Sequence, residues 1–436
     1  MISSMRTVCA VLAIAICAAL VVGCGNTFRP TINFQTQPGG DPTPQGNAVV
    51  LSTNPAGGGS NTHINVSGDT NVGVVNVGAN PVFVGKAGAR VIVLNGDNTA
   101  TLYFAFLPQS TPVTVTLPSS VSGAIGTATS SNGNIYIADS GSNDVSIIPS
   151  GQVVVSQVVP VGARPVMVAS SSNGNKAYVV NHDDNTVTVI GTQDNNVIKT
   201  IPVGAQPIWG VMSDDGFDVF IVNQGDGTVS VIDTSLDIVI TTINLNGTGP
   251  SATLVPNFAD YDNVRKRVYV TNPGDNSVTV IKADSINLGV TPQILPTFLA
   301  KITLSGSPMS VGAIGDGTRA YAALGQCPAV AGGINHTNLL ANLAGCNGNH
   351  VSVIDAIGLR ESKVITVGSG AVSIAPSTDG TRVYVTNAHD GNISIIKTST
   401  DTELMRMPAP LQNLSCTNPA FCPAAPQTPF MVQTFP

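Results

Sequence analysis

Short runs of β-branched and apolar residues alternate with polar turns along most of this 436-residue chain. The clearest runs read Val-Tyr-Val-Thr-Asn, at 268–272 and 383–387, and the first is followed by a turn and a second apolar run at 277–281. Val, Ile, Thr and Tyr favour strands, and no window after the N-terminal segment has the 3.6-residue period of a helix. The pattern therefore predicts an all-β protein built from a repeated unit.

One position marks the end of the strand-like run in each repeat. It is occupied by Asn54, Asn95, Asp139, Asn181, Asn223, Asn272, Leu324 and Asn387. Successive markers are 41, 44, 42, 42, 49, 52 and 63 residues apart, so the later repeats carry insertions, and Leu324 is a degenerate copy. A period near 42 residues is typical of a four-stranded blade of a β-propeller. The count predicts eight blades, and a seven-bladed ring is the alternative.

The repeat beginning at residue 165 shows the expected order of strands. Strands are predicted at 165–170, 177–181, 186–190 and 197–203, separated by turns rich in Asn, Asp and Gly. A Gly-x-x-Pro connector precedes this repeat at 162–165, and it recurs at 78–81, 204–207 and 247–250. Because proline cannot donate to a strand ladder, we expect it at the entrance of a first strand.

The two ends of the repeat array predict how the ring closes. Residues 47–78 contain the later strands of a repeat but no clear first strand, whereas Thr428–Phe435 resembles the first strand that begins at Pro165. We therefore expect the C-terminal strand to complete the first blade. Closure of this kind removes two exposed sheet edges.

These motifs resemble the YVTN family of β-propeller repeat proteins, which occur in bacterial envelopes and archaeal surface layers. The matching segments are Tyr-Val-Thr-Asn at 269–272 and 384–387, Tyr-Val-Val-Asn at 178–181, Phe-Ile-Val-Asn at 220–223, and Val-Ser-Val-Ile-Asp at 229–233 and 351–355. The resemblance covers roughly residues 47 to 410. It implies the fold and a place in the cell envelope, and it implies no particular ligand.

The N-terminus predicts a lipoprotein. Arg6 precedes an apolar stretch from Val8 to Val22, and the sequence Val-Val-Gly-Cys at 21–24 resembles a bacterial lipobox. We expect a signal peptide at 1–23, a lipidated Cys24, and a flexible Pro- and Gly-rich tether at 24–46 before the propeller domain at 47–436. An ordinary secretory signal is the alternative. Gly25 after the cysteine favours the outer membrane, facing either the periplasm or the cell surface.

The remaining cysteines suggest disulfides. Cys9 and Cys17 leave with the signal, which leaves Cys327, Cys346, Cys416 and Cys422 in an oxidising compartment. Three pairings are possible, and we favour the local ones, Cys327–Cys346 and Cys416–Cys422. The first would close the insertion after Leu324, near residues 327–346. A metal site is less consistent with the spacing, which lacks Cys-x-x-Cys.

The composition limits the classes of partner and chemistry that the sequence supports. The net charge is −7, charged residues make up 10% of the chain, and no basic stripe is present, so nucleic acid is not expected. The sequence also lacks a nucleophile elbow, a phosphate-binding loop and a haem-attachment motif. We therefore predict no catalytic residue, no metal and no cofactor, and we expect a monomer that meets the membrane only through its lipid anchor.

Polar residues that follow the marker positions form a candidate ligand face. They are His182, Asp183, Asp226, Asp275, His389 and Asp390. All belong to turns between second and third strands, which in propellers gather around one mouth of the central channel. The same residues are also ordinary turn formers, since Asp bonds nearby backbone N–H groups. We predict a binding or scaffold module for an envelope protein or glycan; the alternative is a propeller enzyme, either a lactonase-like hydrolase or a metal- or quinone-dependent oxidoreductase.

Overall fold

A computed structural model describes residues 46–53, 58–105, 111–118, 123–170, 175–284, 294–327, 343, 345–408 and 427–435. The predictions for the signal peptide, Cys24, the tether up to residue 45 and the Cys416–Cys422 pair fall outside these residues, as does the marker Asn54. None of the helical turns in the described residues is long or apolar enough to span a membrane.

The described chain forms eight four-stranded antiparallel sheets, arranged as the blades of a ring. Blades 1 to 3 contain β1 (Asn47–Thr53), β2 (Gly59–Asn65), β3 (Thr70–Val77) and β32 (Thr428–Phe435); β4 (Pro81–Ala87), β5 (Arg90–Asn95), β6 (Thr99–Phe104) and β7 (Val113–Thr116); and β8 (Ala124–Thr129), β9 (Ile135–Asp139), β10 (Asp144–Ile148) and β11 (Gln157–Pro160). Blades 4 and 5 contain β12 (Pro165–Ser170), β13 (Lys176–Asn181), β14 (Thr186–Gly191) and β15 (Val197–Pro202); and β16 (Pro207–Met212), β17 (Asp218–Asn223), β18 (Thr228–Asp233) and β19 (Ile238–Asn244).

The last three blades follow the same plan. They contain β20 (Phe258–Asp262), β21 (Arg267–Asn272), β22 (Ser277–Lys282) and β23 (Thr297–Thr303); β24 (Ser310–Ala313), β25 (Arg319–Leu324), β26 (His350–Asp355) and β27 (Arg360–Thr366); and β28 (Ala371–Pro376), β29 (Arg382–Asn387), β30 (Asn392–Lys397) and β31 (Thr402–Pro408). Two 3₁₀ turns lie at Ala252–Leu254 and Pro273–Asp275. The all-β propeller prediction is confirmed, with eight blades rather than the alternative seven.

The C-terminal strand closes the ring. β32 pairs antiparallel with β1, with Val50 opposite Val432 and Asn47 opposite Phe435, so the two ends of the described chain share blade 1. Side-chain contacts also tie β32 to its neighbours, because Thr434 Oγ1 donates to Pro376 O in blade 8 at 2.7 Å. The predicted closure is therefore confirmed.

The hydrophobic core is divided among the interfaces between blades. Eight clusters of buried apolar side chains are present in the described residues. A typical cluster joins Tyr136 and Val145 of blade 3 to Val179 and Ile190 of blade 4. Both faces of each sheet are consequently buried, which explains the positive mean hydropathy of the chain.

The marker asparagine locks the second strand to the third in several blades. Asn181 Nδ2 donates to Thr186 Oγ1 at 3.0 Å and to Thr188 Oγ1 at 2.9 Å, which fastens the end of β13 to β14. The same pair of bonds recurs at Asn95, Asn223 and Asn272. The amide also explains the glycine of the connector, because a Cβ on Gly162 would lie 2.7 Å from Asn181 Cγ. Leu324 packs among apolar side chains instead, and its blade keeps four strands.

One of the connector prolines does not stand where the sequence predicts. Pro81, Pro165 and Pro207 each begin a first strand, as expected. Pro250 is instead followed by the 3₁₀ turn at Ala252–Leu254, and β20 begins only at Phe258. The insertion between the fifth and sixth markers accounts for the difference, because it lengthens this connector.

A second repeated contact clamps blades 4, 7 and 8 to the blade that follows. In blade 4, Tyr178 OH donates to Asp237 Oδ1 at 2.9 Å and Lys176 Nζ donates to Asp237 Oδ2 at 2.7 Å, in the turn between the third and fourth strands of blade 5. Arg319 and Tyr321 hold Asp401 of blade 8 in the same way. The last clamp crosses the closure, where Arg382 Nε in blade 8 lies 3.1 and 3.0 Å from the two carboxylate oxygens of Asp69 in blade 1.

Asp139 is the one acidic marker. Its carboxyl group is fully buried, Ser146 N–H donates to Oδ2 at 2.8 Å, and Oδ1 has no partner among the protein atoms. Burial raises the pKa of Asp139 from its ordinary value of 3.8 to about 8; Asp144 raises it further, and hydrogen bonds from Ser146 oppose the rise. The group is therefore mostly protonated at neutral pH in the folded protein.

We predict that Asp139→Asn stabilises the protein at neutral and alkaline pH. With the folded pKa raised, the stabilisation linked to the wild-type carboxyl is fully present only below pH 3.8 and is lost as the pH rises through about 8. The amide removes that loss, on the order of 4 kcal/mol at pH 7. Urea unfolding at pH 5 and pH 8.5 measures the free energy of unfolding of the variant and of the wild type. The gain in stability from the substitution should be larger at pH 8.5. Asn181→Asp is the reverse control and should destabilise. Equal stability of Asp139→Asn and wild type at pH 8.5 would contradict the prediction.

We also predict that Arg382→Gln destabilises the closed ring. The side chains of Arg382 and Asp69 are only 12% and 10% exposed, so removing the cation leaves a carboxylate with little water around it. The free energy of unfolding should fall by about 3 kcal/mol. Arg406→Gln is the matched control, because the Arg406–Glu403 pair is 38% and 23% exposed and should contribute less than about 1 kcal/mol. Similar urea midpoints for the two variants would show that the closing clamp is dispensable.

Candidate functional site

The candidate residues lie on one face of the ring, which we call the connector face. It is formed by the turns after the second strands, including 96–98, 182–185, 224–227 and 388–391, and by the connectors that lead into the first strands. Backbone bonds hold turn and connector together, since His182 N–H donates to Arg164 O at 3.0 Å and Ala388 N–H donates to Gly370 O at 2.7 Å. The repeat therefore sets these turns at equivalent positions around the ring.

Most carboxylates on the connector face are engaged in holding the connectors. Asp226 Oδ2 accepts the Ala205 N–H at 3.0 Å, and Asp390 Oδ2 accepts the Ser369 N–H at 2.8 Å. Asp97 and Asp184 make the equivalent bonds in blades 2 and 4. Asp275 instead accepts from Ser277 Oγ at 2.5 Å and from Lys301 Nζ at 2.8 Å. Three of the six predicted ligand-face residues therefore take part in these turn contacts.

The two candidate histidines occupy different environments. The His182 side chain is 2% exposed, whereas that of His389 is 57% exposed, with Nδ1 3.6 Å from Asp390 Oδ1. They belong to blades 4 and 8, which lie on opposite sides of an eight-bladed ring. The structure thus pairs each histidine with its neighbouring aspartate and does not bring the two pairs together. Among the described residues, no group of three or more His, Cys, Asp or Glu side chains is placed to hold a metal ion.

His182 forms the most distinctive polar cluster of this face, together with Asp183 and Arg164. His182 Nδ1 lies 2.6 Å from Asp183 Oδ1, and Arg164 Nη1 lies 3.4 Å from the same oxygen. In a neutral imidazole this contact places the proton on Nδ1 and leaves Nε2 as an acceptor. Nε2 is buried and has no partner among the protein atoms. Other buried side-chain atoms, such as Asn98 Oδ1 in the equivalent turn of blade 2, also lack a partner among the protein atoms, so Nε2 is set apart by its place beside Asp183 and Arg164.

The backbone of Arg164 also has an unusual conformation. Arg164 and Gln206 precede the connector prolines with φ of 52° and 50°, a left-handed conformation that residues other than Gly, Asn and Asp rarely adopt. Asn80, Gly123 and Gly370 occupy the equivalent position in other blades, also with positive φ. Sequence reasoning missed Arg164, although the Asn and Gly at the equivalent positions were a usable signal.

Side chains fill the centre of the ring beneath this face. Trp209 of blade 5 packs against the apolar cluster between blades 2 and 3, so its ring reaches across the centre. It also stacks on Phe258 with ring centroids 4.6 Å apart, and its Nε1 donates to Ala259 O at 3.1 Å. Met431 of the closing strand packs against the same cluster. At this level the ring is therefore occupied by apolar groups, and the accessible polar chemistry lies on the face above.

A charged pair of the first strands lies off this face. Asp260 Oδ2 accepts the Ala313 N–H at 2.8 Å, and burial raises the pKa of Asp260 to about 6, against the opposing effect of that hydrogen bond. Burial also lowers the pKa of Lys86, whose Nζ lies 5.4 Å from the centre of the Phe435 ring. His63, between blades 1 and 2, is fully buried against Tyr103, and burial lowers its pKa to about 4. These groups stabilise or strain the interior and are not part of the connector face.

The predicted Cys327–Cys346 disulfide is present. Its two cysteines bracket the insertion of blade 7, and Cys346 and Leu343 pack with Ala388 and Phe430 at the boundary of blades 8 and 1. Ser369 Oγ in the blade 8 connector donates to Asn347 O at 3.3 Å. The two ends of the insertion are therefore fixed on the connector face.

The fold is similar to several solved structures. Dihydro-heme d1 dehydrogenase NirN in complex with DHE aligns with a TM-score of 0.64 and 14% identity, over 88% of this chain and 77% of that chain. Kuenenia stuttgartiensis hydrazine synthase gives 0.52 and 17%, over 74% and 96%, and the Myceliophteria thermophila Cps50 (Swd1) β-propeller domain gives 0.53 and 11%, over 72% and 95%. At these identities the likeness shows the fold alone. No protein-family model matches the sequence, and no curated protein matches it, so membership of the YVTN family remains an expectation.

Proposed function

We propose that this protein is an envelope lipoprotein whose propeller is a non-catalytic binding module for an envelope protein or glycan. The lipobox-like sequence ending at Cys24 supports the anchor, and the connector face supplies the binding surface. Cys24, once acylated, would attach the protein to the membrane, in keeping with an outer-membrane location. The module acts as a monomer and needs no cofactor.

The observation that carries this proposal is the buried, unpartnered Nε2 of His182. The neighbouring carboxylates of Asp226 and Asp390 are already engaged by backbone N–H groups, so they offer less to a ligand. Around His182, by contrast, Asp183 is 52% exposed and Arg164 is 31% exposed at the side chain. The cluster thus combines two acceptors with a guanidinium donor.

This combination suits a partner that presents hydroxyl or amide groups. Because Nε2 is buried, the 182–185 turn would have to open before an O–H or N–H of the partner could donate to it, whereas the partly exposed Arg164 would donate to a partner carbonyl or hydroxyl oxygen directly. Glycans and peptide backbones both supply such groups. A buried acceptor that gains its missing bond favours binding by removing a desolvation penalty of roughly 1–3 kcal/mol.

An enzyme is the alternative function, and the same pair of residues is the observation that favours it. An imidazole oriented by a carboxylate at Nδ1, with Nε2 available, is the arrangement of a general base. An enzyme is disfavoured because the sequence lacks the nucleophile elbow of hydrolases. A bound metal or quinone in the purified protein would favour an enzyme over a binding module.

We predict that His182→Phe reduces capture of the partner by tenfold or more, because the phenyl ring fills the site without an acceptor. The loss corresponds to about 1.4 kcal/mol. The assay is an affinity pull-down from envelope extract with residues 27–436, with metal analysis of the same sample. His389→Phe, at the exposed histidine of blade 8, is the matched control and should capture normally. Equal capture by both variants, or a stoichiometric metal with no partner, would overturn the proposal.

A second prediction concerns the insertion of blade 7. Replacing residues 330–340 with a Gly/Ser linker of equal length should weaken partner capture and leave the unfolding transition unchanged, because Leu343 and the Cys327–Cys346 bond are retained. A linker of equal length keeps the loop-closure entropy the same. Unchanged capture would exclude the insertion from the binding surface, whereas a lowered unfolding midpoint would show that it serves the fold.

A further inference from the structure

Exposed apolar side chains are distributed unequally between the two faces of the ring. The opposite face is formed by the turns after the first and third strands, including 149–156, 213–217, 234–237, 263–266 and 356–359. It carries Phe104, Val154, Phe217, Leu236, Val264 and Ile357, which are 43% to 67% exposed. The described turns and connectors of the connector face carry none of the large exposed apolar side chains, and the others lie mainly on outer strands.

These apolar tips are spread around the ring rather than gathered in one groove. Phe104 lies in blade 2, Val154 in blade 3, Phe217 in blade 5, Val264 in blade 6 and Ile357 in blade 7. A protein partner usually buries a contiguous patch with a central anchor. Separate tips that end on one face are better matched to a planar apolar phase, into which each can insert independently.

The N-terminal end of the described chain lies on the same face. Gly46 precedes β1, the second strand of blade 1, and second strands begin on the opposite face. Gly46 also adjoins the C-terminal end of β32, since a Cβ added to it would lie 2.5 Å from Phe435 O and 3.3 Å from Thr378 Oγ1. The described chain therefore enters the propeller at this face.

The length of the connection to Cys24 keeps the face near the anchor. Residues 25–45 separate Cys24 from Gly46, which is a chain of 21 residues. If this segment is as flexible as its Pro- and Gly-rich sequence predicts, its root-mean-square span would be about 25 Å. An acylated Cys24 would thus hold the opposite face, with its apolar tips, within a short distance of the bilayer.

The opposite face carries several ion pairs within the protein, together with the exposed carboxylates of Asp194, Asp215 and Asp316, which accept hydrogen bonds from their own turns. Lys176 pairs with Asp237 at 2.7 Å, Arg319 with Asp401 at 2.7 Å, and Arg382 with Asp69 at 3.0 Å. A face whose cations are paired and whose turns carry exposed carboxylates gains nothing from anionic headgroups. Its expected surface is a zwitterionic bilayer, where the apolar contacts decide the binding.

We propose that the opposite face rests on the lipid bilayer, with its apolar turn tips in the interface, so that the connector face points away from the membrane. The inference rests on the proposed lipid anchor at Cys24. It assigns the orientation that the binding module requires: the His182 cluster and the disulfide-closed insertion face the compartment in which a partner is met.

The test uses the acylated full-length protein in phosphatidylcholine vesicles. An environment-sensitive fluorescent amino acid is placed at Leu236 or Ile357 on the opposite face, and at Thr248, an exposed residue of the connector face, as the control. Vesicles that carry a shallow nitroxide-labelled lipid should quench most of the emission at 236 and 357, with a blue shift, and should leave the emission at 248 unchanged.

Two results would overturn the orientation, and a separate one would test the anchor. Emission at 236 and 357 that is not quenched, or quenching at 248 instead, contradicts the inference while the anchor stands. Loss of exposure at 236 and 357 accompanied by dimer formation in light scattering assigns the face to a second copy and also contradicts it. Intact mass and vesicle flotation are measured first, because a protein without lipid on Cys24 that does not float refutes the anchor of the proposed function instead.

Discussion

The structure depends on one constraint: every sheet is apolar on both faces, so every blade needs two neighbours. An open row of such blades would leave an apolar face exposed at each end. Pairing of β32 with β1 removes both ends at once, because it completes blade 1 and brings Phe435 into the core shared with blade 2 and Val432 into the core shared with blade 8. The hydrophobic effect thus acts on the whole ring, and closure joins the two ends of the described chain.

The two ends of the Tyr-Val-Thr-Asn motif perform different tasks in this arrangement. The asparagine fastens the second strand to the third within a blade, at the connector face. At the other end of the second strand, Tyr178 with Lys176 and Tyr321 with Arg319 reach the next blade, whereas the buried hydroxyls of Tyr269 and Tyr384 have no partner among the protein atoms. Because the blades repeat, most aspartates in the turns already accept hydrogen bonds from within the protein. The repetition also makes deviations informative: Asp139 is a marker without the amide, and His182 is a turn residue with a buried atom left unbonded.

Much of the fold could be predicted from the sequence, because strands and turns depend on local patterns. The strands of blade 4, the closing strand and the Cys327–Cys346 bond were all recognisable from residue type and spacing. The clamp between Tyr178 and Asp237 was not, since it joins residues 59 apart through the packing angle of two blades. Trp209 and Arg164 were missed for a related reason, as their settings depend on the centre of the ring and on a left-handed backbone. The regular repeat predicted that polar turns gather on one face. It could not show which of their side chains are already hydrogen-bonded within the protein.

The central claim, that the ring is closed through a blade shared by both ends of the chain, is tested most directly by native-state hydrogen exchange. The amides of β32 (Thr428–Phe435) are compared with those of β1 and of β29 in the continuous blade 8. The account predicts that β32 exchanges as slowly as the other two, through the same global opening. Fast exchange in β32 beside slow exchange in β29 would contradict it, because the ring would then hold together without its closing strand.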